Sequence, residues 1–312
     1  MVEVRKIIKL GDSTLCVSLP KFWTEQFHLS KGDHLNIDAD SSGNIILTPT
    51  SGTLEPEKKI MKIDIDNMTK NELYGSINRS YIDGAYEIIF EGDTKQKVRD
   101  IRDILTWFVS LELVKSSKDH MVSRVFLDNS EISIMNLTKE IDTILANLFS
   151  RATDSFKTDD VSPDAFQSTI EVKKLAKLAF RSINWQVKNY HSLRKKEYSI
   201  QQLTIIWQLI ENQLQIAESL DVLGTELIDS ASFRKTKNKD KKRLLEHLML
   251  LGTIFKRSTD RDSGLHKDIE SLDQELALDP EVAQDQTICH FFDNYRSILK
   301  IIRRMMEQTM LL

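Results

Sequence analysis

The chain is poor in the residues that staple or interrupt a fold. Its 312 residues include two cysteines, five prolines and ten glycines. Cys16 and Cys289 are too few for a disulfide framework or a paired-cysteine zinc motif, which suits a reducing cytoplasm. So few prolines and glycines predict long uninterrupted elements, mainly helices. No apolar run approaches the ~18 residues of a membrane span, so membrane insertion is not expected. The opening MVEVRKIIKLGDSTLC carries charges inside its apolar stretch and lacks a small-residue cleavage site, so no signal peptide is expected. A phosphate loop, a G-x-S-x-G elbow and an HExxH helix are also missing. The chain is therefore read as a non-enzyme that needs no cofactor. A net charge of −4 excludes a generally basic nucleic-acid binder; any DNA contact has to come from a local patch.

The length suits two or three domains, and the pattern divides into three: residues 1–50, 58–128 and 129–312. The first reads as short strands around a short helix. Leu15, Val17 and Leu19 alternate with Cys16 and Ser18, and Pro20 opens a helix at Lys21–Phe27. Residues 29–33 are a turn, Leu35 and Ile37 mark another strand, residues 40–44 turn the chain, and Ile45–Leu47 close the unit before Pro49. Residues 50–57 read as a linker.

Residues 58–128 alternate strand and helix in a βαβαβ order, implying a small sheet with helices on one face. The strands are placed at 62–66, 86–90 and 122–127. One helix runs from Thr69 to Tyr81, with Thr69 or Asn67 as its N-cap, and stops at Asp83-Gly84; the other is capped by Asp93 or Thr94 and runs toward Val114. From about residue 130 the pattern is helical, with helices at 130–156, 163–196, 200–229, 240–258 and 283–311. Ser162-Pro163 and Ser199 mark starts, and 157–162 and 230–240 are polar connections. Within 200–229, Leu203, Trp207, Ile210, Leu214 and Ala217 repeat at helical spacing beside a second stripe of Ile206, Leu209, Ile216, Leu220, Leu223 and Leu227, the wide apolar face of a bundle helix. The fold class is α+β, mainly α.

About fifty residues of short strands cannot bury enough apolar surface alone. Homodimerisation is the expected remedy, and it places two copies of any basic patch on one symmetric face. Residues 1–21 hold Arg5, Lys6, Lys9 and Lys21 against Glu3 and Asp12, while residues 22–50 are net acidic. The candidate DNA contacts are Arg5, Lys6, Lys9 and Lys21, with Gly11, Ser13 and Thr14 of the loop as hydroxyl and backbone donors to phosphate. A solvated strand face is the alternative for the same lysines.

The run from Arg5 through Gly11, Leu19-Pro20 and Lys21, followed by Leu29-Ser30-Lys31-Gly32-Asp33 and Ile45-Ile46-Leu47, resembles the AbrB/MazE swapped-hairpin family over nearly all of residues 3–49. That resemblance implies an intertwined dimer whose first hairpin faces double-stranded DNA. The rest resembles PhoU-like proteins of archaeal type, through Ile77-Asn78-Arg79-Ser80-Tyr81-Ile82-Asp83-Gly84-Ala85, Ile88–Gly92, Leu111–Val114 and Phe126-Leu127-Asp128. It implies a PhoU-like helical bundle that regulates phosphate uptake, by contact with a phosphate-transporter subunit or a partner regulator. PhoU domains commonly hold metal through acids four apart; here Glu218 keeps one, Leu214 replaces the other, and Asp221 is one turn on. A lone carboxylate does not hold a hard cation, so no metal site is expected. Three readings stay open: a DNA-binding regulator of phosphate uptake, an interaction module that clamps a transporter without touching DNA, and an antitoxin, against which the long structured C-terminal part argues.

The basic run Arg234–Arg243 suits DNA, anionic lipid or an acidic partner, or simply a solvated loop. His247, His266 and His290 lack ligand spacing, Trp185 and Trp207 read as core, and Cys16 as a small strand residue.

Overall fold

The computed structural model describes residues 3–39, 43–50, 58–118, 120–158, 168–190, 197–229, 238–260, 262, 264–277 and 286–312. The chain divides into two compact units: a head through Lys59, and a body from Ile60 to the C-terminus less residues 190–194. The α/β segment and the helical segment thus share one unit. The expected linker beyond Thr50, turn residues 40–42, Ser162-Pro163 and most of 230–240 lie outside the described residues.

In the head, β1 (Ile8–Leu10) pairs antiparallel with β2 (Thr14–Cys16), and β3 (Leu35–Ala39) with β4 (Ile45–Pro49). Helix α1 (Lys21–Gln26) starts where expected: the Pro20 carbonyl accepts from the backbone N–H groups of Trp23 and Thr24, each at 3.1 Å.

The body opens with a four-stranded sheet in the order β5 (Ile60–Asp64), β6 (Glu87–Glu91), β8 (His120–Val125), β7 (Leu111–Ser116). β5 and β6 run parallel around α2 (Lys70–Ile82), and the other pairings are antiparallel. Thr69 and Glu72 cap α2 reciprocally: the Thr69 side chain accepts from the Glu72 N–H, and the Glu72 carboxylate accepts from Thr69 N–H at 2.8 Å. The sheet alternates as a half-buried sheet should. Ile88, Phe90, Met121 and Val125 face a core with Leu73, Ile77 and Tyr81 of α2 and Ile101 and Ile104 of α3 (Thr94–Leu105), while Glu87 and Arg124, directly opposite, pair at 2.5 Å. Gly92 (φ 124°) is required where it stands, because a Cβ there would lie 2.5 Å from the Asp66 carboxylate that accepts from Asp93 N–H.

One element differs from expectation. The second helix ends at Leu105 rather than running toward Val114, and Leu111–Val114 belong to a strand, so the order is βαβαββ. The reason is local: tight turns close on the Ile104 and Leu105 carbonyls, Ser110 takes a positive φ of 56°, and the chain re-enters the sheet with Leu111 opposite Val125.

After a short turn at Asn129–Glu131, α4 (Ile134–Thr158), α5 (Ser168–Lys188), α6 (Ile200–Asp229), α7 (Asn238–Thr259) and α9 (Gln286–Thr309) pack around one large apolar core. Helix α8 (Leu265–Ala277), which the sequence pattern did not suggest, packs against α7 and α9. Ser199 starts α6, with Gln202 N–H donating to its hydroxyl and its own N–H donating to the Gln202 side chain. The α6 stripe is buried as expected at Leu203, Ile206, Ile210, Ile216, Ala217 and Leu220. Trp207 and Trp185 are half-buried rather than core; Trp207 lies on Phe180 with its indole N–H on Glu211. Among the described residues no helix is long and apolar enough to cross a membrane.

Helix α5 joins the two parts of the body. Val172, Ala176, Ala179 and Ile183 enter the bundle core. On another face stand Lys177, Arg181, Asn184 and Lys188, and each donates to backbone oxygen of the α/β segment. Arg181, 3% exposed, reaches Tyr81 O at 2.7 Å, Ala85 O at 3.0 Å and the Asn129 side chain at 3.0 Å; Asn184 reaches Ile82 O, Lys188 reaches Asp83 O, and Lys177 reaches Trp107 O.

Removing the Arg181 guanidinium takes this donor from the Ala85 carbonyl and the Asn129 side chain, and leaves the Tyr81 carbonyl with only the Gly84 N–H at 3.1 Å. Arg181→Met is expected to cost about 2–4 kcal/mol in urea unfolding, with Arg181→Lys recovering only part of it because an ammonium lacks the planar fork; a loss within experimental error would refute this role. The bundle holds a second buried polar pair. Gln213 donates to the Asp142 carboxylate at 2.8 Å and to Thr138 O at 3.0 Å, while burial pushes the Asp142 carboxyl from its ordinary 3.8 up to about 6. A raised acid binds its proton more tightly when folded, so stability is full below the unfolded pKa and is lost as pH rises through about 6. Asp142→Asn should therefore stabilise the body by about 2–3 kcal/mol near neutral pH, the gain vanishing in melts near pH ~4.

Candidate nucleic-acid interface

The candidate interface is the first hairpin of the head. Its turn starts at Gly11 (φ 69°), and the register sets Ile8 against Cys16, Lys9 against Leu15 and Leu10 against Thr14. Paired residues share a face, so Lys9 and Leu15 point to one side and Ile8, Leu10, Thr14 and Cys16 to the other. The structure therefore divides the predicted contact set: Lys9 and Thr14 stand on opposite faces. Ser13 is exposed in the turn, and Arg5 and Lys6 are exposed ahead of β1.

The four predicted cations are not equivalent. Arg5 donates to Glu3 at 2.6 Å, and Lys21 lies 3.5 Å from Glu25 one helical turn away. Exposed pairs of this kind contribute at most about 1 kcal/mol, yet they neutralise local charge. Lys6 and Lys9 have no carboxylate within 4.0 Å among the described residues, which leaves them as the free cations of the hairpin.

The head's apolar side chains are in the same condition. Among its described residues none is buried; Leu10 is 65% exposed, Leu15 67%, Ile37 71% and Ile45 70%. Cys16 is half-buried and free.

The other candidates resolve differently. Glu218 lies 3.9 Å from Lys173, and Leu214 packs against the bundle core. Among the described residues no three His, Cys, Asp or Glu side chains gather into a metal site. Of the basic run, residues 234–237 lie outside the described residues; Lys242 pairs with Glu246 on α7, and Arg243 sits over the Phe292 ring. His247 is buried, its ring edge-on to Phe292 and its Nδ1 2.8 Å from Arg243 O. The sequence reading passed over Lys177, a buried lysine on a helix whose pattern read as ordinary bundle; no spacing rule marks such a residue, because its burial comes from the α/β segment and not from α5 itself.

Comparison with known proteins gives no relative on which to lean: no family model, no curated protein and no solved structure matches the chain.

Proposed function

We propose that the protein is a DNA-binding transcription regulator of phosphate uptake, with the head as its dimeric DNA reader and the helical body as its sensor or docking part. The observation that carries this reading is the open apolar surface of the head beside two unpaired lysines. A unit of this size with no buried residue among those described lacks a core of its own, and large exposed apolar surface marks an association site. A second copy of the same unit is the economical partner, since a two-fold contact matches each patch to itself. Two hairpins then present Lys6 and Lys9 in duplicate, with turn hydroxyls and backbone N–H groups as further phosphate donors. The link to phosphate uptake rests on the resemblance of the body to PhoU-like proteins, and the cytoplasm is the compartment in which such a regulator meets DNA.

Two measurements test it. In a gel shift against DNA upstream of phosphate-transport genes, affinity should fall steeply with salt. The Lys6→Ala/Lys9→Ala double variant removes four cations per dimer and should flatten the log–log salt slope by roughly 3–4; Arg5→Ala and Lys21→Ala, already paired, should change it less. Absence of binding even at low salt would leave the body's docking on a transporter subunit as the surviving function. In sedimentation experiments the intact chain should be a dimer, and Leu10→Glu should shift it toward monomer by about 2 kcal/mol or more per buried side chain lost. A monomeric wild-type chain at micromolar concentration would remove the basis of the proposal.

A further inference from the structure

The body contains a cavity of about 550 Å³ between α2 and α3 on one side and α5 and α6 on the other. Its size lies within the range of small-molecule sites. Three rings line it, those of Tyr74, Trp107 and Phe180. Two polar groups on its wall are unsatisfied in a way that ordinary packing does not explain.

The first is Lys177. It is 7% exposed, and among the described residues no carboxylate lies within 4.0 Å of it. Its ammonium makes one long hydrogen bond, 3.3 Å to Trp107 O, and otherwise rests on ring faces, 4.8 Å from the Phe108 centroid, 5.2 Å from Tyr74 and 5.5 Å from Trp107. An ammonium has three donors, and burying it without an anion is costly. That cost is visible in its proton affinity: burial, with Lys173 and Lys174 nearby, pulls the Lys177 pKa down to about 8. The second group is Asn78, whose side-chain oxygen is buried with no donor.

The remaining charges at the cavity are already matched. Lys70 lies 3.3 Å from Asp103 and 3.6 Å from Asp100, and Lys173 lies 3.9 Å from Glu218. The Asn78 oxygen presents no surface to the cavity, so the unmet demand that a ligand can reach is for one negative charge at Lys177 and a flat apolar body between the rings. Inorganic phosphate fits this poorly, being small, doubly charged near neutrality and without an apolar part.

We propose that this cavity binds a small planar organic carboxylate, its carboxylate on Lys177 and its ring among Tyr74, Trp107 and Phe180. This site is independent of the DNA-binding reading and stands or falls without it.

The test uses the full chain and indole-3-acetate as the probe, with its neutral counterpart indole-3-acetamide and inorganic phosphate as controls, followed by calorimetry. Indole-3-acetate should bind, the amide should bind roughly 10-fold or more weakly, and phosphate should not compete, since a hydrogen bond to a charged partner is worth at least a factor of this order. Lys177→Met should abolish the preference for acid over amide, and Lys177→Arg should restore part of it. Should Lys177→Met fail to fold, the acid–amide comparison on the wild-type chain still decides. Equal affinity for acid and amide, displacement of the probe by phosphate, no binding of indole-3-acetate at millimolar concentration, or an acid preference that survives Lys177→Met would each overturn the assignment.

Discussion

The body is held together by a strip of donors on α5 that meets the spent end of α2. The last turn of any helix leaves carbonyls without intrahelical partners, and the helix dipole makes that end negative. Here those oxygens belong to Tyr81, Ile82 and Asp83, and they are buried or half-buried against α5. Tyr81 O also accepts from Gly84 N–H at 3.1 Å, but an apolar α5 would strip all three of their side-chain donors, at about 1–3 kcal/mol for any left buried and unpaired. Arg181, Asn184 and Lys188 supply the donors instead, spaced three and four apart so that all fall on one helical face. Because the acceptors are backbone atoms, the strip also fixes how far α5 can slide along α2. The strip, together with Ile82 and Leu127, which pack against both apolar cores, ties the α/β segment and the bundle into one unit.

The strip is not equally satisfied along its length. Arg181 finds three oxygens and the Tyr81 ring, whose own hydroxyl donates to Val109 O at 2.9 Å. Lys177, one turn nearer the start of α5, lies beside the α2 residue Tyr74, away from the open carbonyls at the end of that helix, and finds a single carbonyl and three rings. Ring faces attract a cation, though more weakly than an anion does. The cavity opens at this under-satisfied end, beside the α2 residues Tyr74 and Asn78. The same physics recurs inside the bundle at Gln213 and Asp142, where burial raises the carboxyl's pKa despite the amide's hydrogen bond. In both places the helices accept a polar group in the interior and leave it short of partners.

Local signals were legible wherever a residue's role depends on its near neighbours in sequence. Thr69 caps α2 through Glu72, three residues on; Pro20 opens α1; Ser199 opens α6; and the α6 stripe is buried where 3.6-residue periodicity puts it. Legibility failed where distant segments decide. Leu111–Val114 carry a pattern compatible with a helix end, and only their pairing with β8 makes them a strand. Helix α8 is short, and its few apolar positions, Leu265, Ile269 and Leu272, gain meaning from α7 and α9. At the candidate interface, residue type picked out the cations, but not that Arg5 and Lys21 would be paired, nor that strand pleat would put Lys9 and Thr14 on opposite faces. Arg181 and Lys177 were invisible for the same reason: a basic residue every fourth position on a helix normally signals a solvated face, and here the solvent has been replaced by another helix's carbonyls.

The two units stand in opposite thermodynamic positions. The body owns a large apolar core within a single copy. The head, as a single copy, has none among its described residues, so on the proposed reading its folding and its self-association are one equilibrium, and anything that binds only the paired form stabilises it by mass action. On the proposed reading DNA would be such a ligand, because it would meet two hairpins at once. Affinity for DNA would then be set as much by how readily two heads pair as by the contacts of Lys6 and Lys9 themselves. A body that responds to a ligand need not touch the hairpin to govern it; a small bias in how two bodies associate is enough to move the population of paired heads.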